Sequence, residues 1–263
     1  MKICGLTNLP DAELAVELGA WALGMIFYEG SPRRCAPAEA ERIAAVLRRR
    51  AELCGVFVNA PLEQVVAQSE SVGLSMLQFN GDEGPAFCAE AARRTGTRVI
   101  KAVQVAGPGD VRDVERFHVD FHLLDARAKA RERQGLRGGT GETFDWALVS
   151  RRRSKVPLIL SGGLTAQNVA EAIAQTHPYA VDTASGTESA PGHKDPEKLR
   201  AFFAAVQQSV QPTLADEGSA LVAGAAKSTA AEHTAAEGSA GEHAAAEDSA
   251  AEDTAAAVGG SQA

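Results

Sequence analysis

The chain has 263 residues and a net charge of −8, and that charge sits at one end: residues 211–263 hold nine acids against the single base Lys227, leaving residues 1–210 with 25 acids and 25 bases. An electroneutral main region lacks the broad positive field that contacts with a phosphate backbone require, which argues against nucleic acid as a partner. No apolar run approaches the roughly 20 residues of a membrane-spanning helix, and apolar sequence beginning at Ile3 leaves no space for a basic-then-apolar export signal, so a cytoplasmic protein without a membrane partner is expected.

The four cysteines, Cys4, Cys35, Cys54 and Cys88, have no CxxC spacing, and no metal site is expected from them. In chain order, residues 2–5 read as a short strand. Asn8 then supplies an N-cap and Pro10 an early helical proline for a helix over 11–18, closed by Gly19. Residues 22–27 form a second apolar strand, and Pro37 opens a helix reaching Arg50. The same alternation continues with strand 53–58 and helix 62–72, strand 74–79 and helix 85–94, and strand 99–103 and a helix over 110–117. Strand 121–124 precedes a glycine-rich loop and a short helix over 144–149; strand 158–160 precedes helix 166–175; strand 180–181 precedes helix 196–208.

Eight short apolar strands separated by helices predict one (β/α)8 TIM barrel over residues 1–210, favoured over a doubly wound open sheet by the regular spacing. Residues 211–263 are Ala/Glu/Ser-rich, contain no aromatic residue and are too poor in bulky apolar groups for a core; they are expected to be a disordered tail. The runs Arg48–Arg50 and Arg151–Arg153 fall near helix ends, where solvated cations face the negative end of the dipole.

Chemistry in such a barrel collects on the loops after the C-terminal strand ends. Gly162 and Gly163 follow strand seven and Ser185 and Gly186 follow strand eight, where backbone amides can hold a phosphate, although tight βα turns alone would also explain the glycines. Cys4 ends strand one and Asp125 ends strand six, a spacing that sets a thiol and a carboxyl across the barrel mouth as a base and acid pair. Each alone is a weak signal, since a cysteine in an apolar strand is usually a small core residue. A basic Cys4 needs a pKa lowered from about 8.5, and Lys2, two residues earlier on the same strand face, is the candidate cation. Arg33 and Arg34, after strand two, offer forks for a carboxylate, although ordinary loop arginines would explain them equally well. The loop 135–141 lacks a phosphate-loop pattern and reads as a lid.

Over about residues 2–203 these pieces resemble the phosphoribosylanthranilate isomerase family. The most specific are Lys2-Ile-Cys-Gly-Leu-Thr7, Ser31-Pro-Arg33, Leu123-Leu-Asp125, Gly138-Gly-Thr-Gly-Glu-Thr-Phe-Asp-Trp146, Leu160-Ser-Gly-Gly-Leu164, and the stretch from Asp182 through Ser185-Gly-Thr-Glu188 to Pro191-Gly-His-Lys-Asp195. The resemblance implies an Amadori rearrangement of N-(5-phosphoribosyl)anthranilate in tryptophan biosynthesis, with no metal or organic cofactor; the sequence does not decide between a monomer and a homodimer. It implies that Asp125 protonates the ring oxygen and Cys4 removes the C2 proton. Arg33 would hold the anthranilate carboxylate, and the amides of Gly162, Gly163, Ser185 and Gly186 the ribose phosphate. Asn80, within Leu77-Gln-Phe-Asn-Gly-Asp-Glu83 where Gln-Leu-His-Gly is common, and Ala184, where a serine is usual, depart from the family pattern. The related histidine-pathway isomerisation is the rival within the enzymes, but an aspartate is expected there at the Cys4 position. A barrel that only binds phosphorylated ligands is the rival outside them, and the presence of both Cys4 and Asp125 argues against it.

Overall fold

A computed structural model describes residues 1–126 and 143–210. The expected lid over 135–141 and the expected tail over 211–263 lie outside the described residues. Eight parallel strands close into a barrel: β1 (Lys2–Cys4), β2 (Ala22–Ile26), β3 (Glu52–Phe57), β4 (Met76–Phe79), β5 (Arg98–Val105), β6 (Phe121–Ala126), β7 (Leu158–Leu160) and β8 (Ala180–Thr183), with β8 pairing back onto β1. The helices are α1 (Leu9–Glu17), α2 (Pro37–Leu47), α3 (Leu62–Val72), α4 (Pro85–Thr95), α5 (Pro108–Asp113), α6 (Val169–Thr176) and α7 (Pro196–Val210).

Strand alternation divides the apolar residues into two layers. Cys4, Ala22, Cys54, Val56, Met76, Ile100, Leu123 and Ile159 fill the barrel interior. Their outward neighbours pack against the helices, as Ile3, Leu23, Leu53 and Leu77 do with Ala12, Ile43, Val65 and Phe203. On the other side Leu124, Leu160 and Val181 meet Val111, Val169 and Phe202. Asn8 caps α1 as expected, its side chain accepting from the Asp11 amide at 2.9 Å.

Three local expectations are corrected. Helix α2 stops at Leu47, and Arg48–Arg50 form the turn into β3. The segment before β7 is a 3-10 helix over Trp146–Arg151, and Arg152 behind it is half-buried rather than solvated, donating to the Val156 carbonyl and to His122 Nδ1. A two-stranded antiparallel hairpin, β9 (Glu188–Ala190) with β10 (His193–Lys194), inserts between β8 and α7 where no strand is expected. No helix among the described residues is long and apolar enough to cross a membrane.

Candidate active site

A cavity opens at the C-terminal end of the barrel, and Cys4, Arg33, Gln78, Asn80, Asp125, Gly162, Gly163, Asp182 and Ser185 all line it. The thiol and the carboxyl expected to work together therefore share one space. Room for the thiol comes from β2: Cys4 pairs with Gly24, and a Cβ on Gly24 would lie 2.8 Å from Cys4 Sγ.

Beneath them lies a buried network that the sequence does not announce. Lys2 Nζ donates to Asp182 Oδ1 at 2.8 Å, and Ser161 Oγ donates to Asp182 Oδ2 at 3.0 Å. Barrel closure creates this contact, because β1 and β8 pair with Lys2 opposite Asp182. Burial opposes the Lys2 charge, but the adjacent Asp182 carboxylate prevails and holds Lys2 above the ordinary ammonium range. Burial, reinforced by the negative charge of Asp182, pushes Asp125 up to about 7. A carboxyl with that value keeps its proton near neutrality and can act as an acid.

For Cys4 the balance falls the other way from the expectation. Burial pushes the thiol above its ordinary value; Lys2 and Lys194 pull down and Asp182 pushes up, and the two lysines do not overcome the desolvation. Lys2 is thus near the thiol as its place on the strand implied, yet its charge is already matched by Asp182.

The glycine-rich ends of β7 and β8 meet closely. Gly162 has φ +93°, and a Cβ there would fall 2.3 Å from the Ala126 amide nitrogen, so only glycine fits. A Cβ on Gly186 would fall 1.9 Å from the Leu164 carbonyl oxygen. Gly162, Gly163 and Ser185 line the cavity, whereas Gly186 lines an adjoining depression with Ser185, Thr165 and Lys198.

Arg33 also reaches the cavity, but its fork is partly engaged. Its Nε donates to both Glu188 carboxylate oxygens at 2.9 Å, and Nη2 to Oε2 at 2.8 Å. Arg34 stays outside, half-exposed beside Glu29 at 3.7 Å. At the two departures from the family pattern, Asn80 accepts from Gln78 Nε2 at 2.8 Å while lining the cavity, and the Ala184 carbonyl accepts from Lys194 Nζ at 2.9 Å.

Asp182, Glu188 and Lys194 are the polar groups that reasoning from the sequence left without a role. A lysine on the inward face of an apolar strand was the available signal, since such a charge demands a buried partner.

A family model described as N-(5'phosphoribosyl)anthranilate (PRA) isomerase matches residues 1–205. The N-(5'-phosphoribosyl)anthranilate isomerase of Pelobacter propionicus is 43% identical over 203 residues, covering 77% of this chain and 93% of that protein. The crystal structure of the phosphoribosyl anthranilate isomerase from Thermus thermophilus superposes with a TM-score of 0.70 at 38% identity, over 79% of this chain and 98% of that one. A further isomerase structure, in complex with reduced 1-(o-carboxyphenylamino)-1-deoxyribulose 5-phosphate, gives 0.66 at 36% identity, over 79% and 97% of the two chains. By sequence and by fold, then, the chain belongs to the N-(5'-phosphoribosyl)anthranilate isomerase family.

Proposed function

We propose that the chain, as a cytoplasmic monomer or homodimer, isomerises N-(5-phosphoribosyl)anthranilate to 1-(2-carboxyphenylamino)-1-deoxyribulose 5-phosphate, with Asp125 as the acid and Cys4 as the base. The observation that carries this assignment of roles is the placement of both groups on one cavity, with Asp125 raised to about 7.

Protonated Asp125 gives its proton to the furanose ring oxygen as the C1–O bond breaks, and the anthranilate nitrogen lone pair forms the C1=N bond of a cationic Schiff base. Cys4, as thiolate, then removes the C2 proton, and the C2–H electrons move into C1–C2 as the C1=N electrons return to nitrogen. The resulting enolamine tautomerises to the aminoketose. The iminium charge formed beside Cys4 adds a counter-charge for the thiolate to the pull of Lys2 and Lys194, which burial outweighs. The amides of Gly162, Gly163, Ser185 and Gly186 hold the phosphate, and Arg33 holds the anthranilate carboxylate.

Substrate turnover can be followed by loss of anthranilate-type fluorescence. Cys4→Ala and Asp125→Asn are each expected to lower kcat by about 10²- to 10⁴-fold, the usual weight of a proton-transfer group. Undiminished turnover in both variants would end the assignment.

A further inference from the structure

Glu188 lies behind Arg33, outside the cavity, and is itself buried, with side-chain exposures of 4% for Glu188 and 7% for Arg33. Its carboxylate takes the Nε and Nη2 side of the fork in three contacts of 2.8–2.9 Å. Oε1 also receives the Gly192 amide and Lys194 Nζ, each at 3.4 Å, so the acceptor is fixed by the hairpin as well as by the arginine. Lys194 Nζ in turn donates to the Cys4 carbonyl at 2.7 Å, and Lys198 Nζ to the Glu188 carbonyl at 2.8 Å. From below, the Arg33 stem rests on Gly5, where a Cβ would fall 2.8 Å from Arg33 Cδ.

An arginine side chain has large rotamer entropy, which a ligand must otherwise offset when it orders the guanidinium. Here that ordering precedes ligand binding. The geometry points to Glu188 as a positioning residue that fixes Arg33 so that only its Nη1 end, with the second Nη2 hydrogen, is offered to the substrate carboxylate. This rests on the assignment of Arg33 to that carboxylate. Glu188 reaches the ligand only through Arg33, and it makes recognition of the carboxylate a property of the β9–β10 hairpin.

The competing physical effect has the opposite sign. A carboxylate on Arg33 neutralises part of the charge that attracts the ligand, so a merely competing Glu188 would, once removed, tighten the binding of carboxylated ligands. Pre-organisation predicts weakening instead.

Two probes separate these outcomes: reduced 1-(o-carboxyphenylamino)-1-deoxyribulose 5-phosphate and its phenylamino counterpart without the carboxylate, with Kd measured calorimetrically on the full chain. Wild type is expected to prefer the carboxylated probe. In Glu188→Gln that preference should fall about tenfold, with the Kd of the decarboxylated probe changed less than twofold. Glu188→Asp, which keeps the charge and shortens the reach, should lose a smaller part. The preference is a ratio, so partial unfolding, which weakens both probes alike, leaves it unmoved. A preference kept or increased in Glu188→Gln overturns the role of Glu188 alone; equal binding of the probes by wild type overturns the Arg33 assignment and this inference with it.

Discussion

Two buried lysine–carboxylate pairs in this barrel look alike and do different things. Lys101 Nζ, in mid-β5, meets Glu83 Oε2 at 3.0 Å beyond the end of β4, and Lys2 Nζ meets Asp182 Oδ1 at 2.8 Å in the interior between β1 and β8. Glu83 also accepts from the Asn59 amide at 2.6 Å and the Gly81 amide at 2.8 Å, and Lys101 donates to the Gly81 carbonyl at 2.8 Å. That pair staples the loops after β3 and β4. Asp182 accepts from two donors, Lys2 and Ser161, against three at Glu83, and it lies beside Asp125 and Cys4 and raises both. Lys101 and Glu83 act on the Cys88 thiol instead, outside the cavity, so a buried ion pair is a staple or a tuner according to whether the titratable groups beside it line the site.

The comparison can be broken most sharply at Asp125. Asp125→Asn, besides its loss of turnover, should make the protein more stable than wild type at neutral pH. The sign follows from Asp125 being raised from 3.8 to about 7. Between those values the unfolded carboxyl ionises while the folded one stays protonated, so wild type loses stability as pH rises, at up to about 1.4 kcal/mol for each pH unit. The amide of the variant does not titrate and has no such loss, so thermal melts of the two proteins should converge near pH 4 and separate toward pH 7; parallel curves would contradict a raised Asp125.

Next come the two carboxylates. Asp182→Asn and Glu83→Gln each strand a buried lysine and should each cost about 3–5 kcal/mol in denaturant titrations. Only Asp182→Asn should alter the pH dependence of kcat/KM. Without the Asp182 charge both Asp125 and Cys4 ionise more readily, so both limbs of the profile move to lower pH. A shifted profile in Glu83→Gln would abolish the distinction.

The smallest change is Gly24→Ala, whose added methyl meets Cys4 Sγ. It should lower kcat more than it raises KM and change the rate of thiol alkylation in the unliganded enzyme. Equal alkylation and unchanged kcat would show that the thiol has slack.

How much of this was legible beforehand follows from sequence distance. The barrel could be read because each strand and helix is written locally: Asn8 and Pro10 start α1, and the apolar run from Ala22 to Ile26 is β2. That Cys4, Asp125 and Gly162 line one cavity could be expected because they lie at or just after strand ends, where barrels keep their chemistry. The pair Lys2–Asp182 spans 180 positions and exists only through barrel closure, so no local pattern encodes it. The hairpin is not legible because Glu188–Lys194 has polar, small and proline residues in place of strand alternation, and its course is held by distant partners, Arg33, Asp11 and the Cys4 carbonyl. The direction of the Cys4 shift was illegible for a related reason: a neighbouring cation counts only after its own partner is known.

The pairing of β1 with β8 also bears on how the molecule comes together during folding. Cys4 lies near the start of the chain, while the groups that surround it, Asp182 and Lys194, belong to its eighth strand and the hairpin beyond. Contacts of such long sequence separation form late, after the entropy of closing a long loop has been met. Without a docked β8, Lys2 would lack its carboxylate partner and Asp125 the neighbouring charge that helps to raise it. The electrostatic surroundings of Cys4 and Asp125 are therefore complete only once the last strand has closed onto the first.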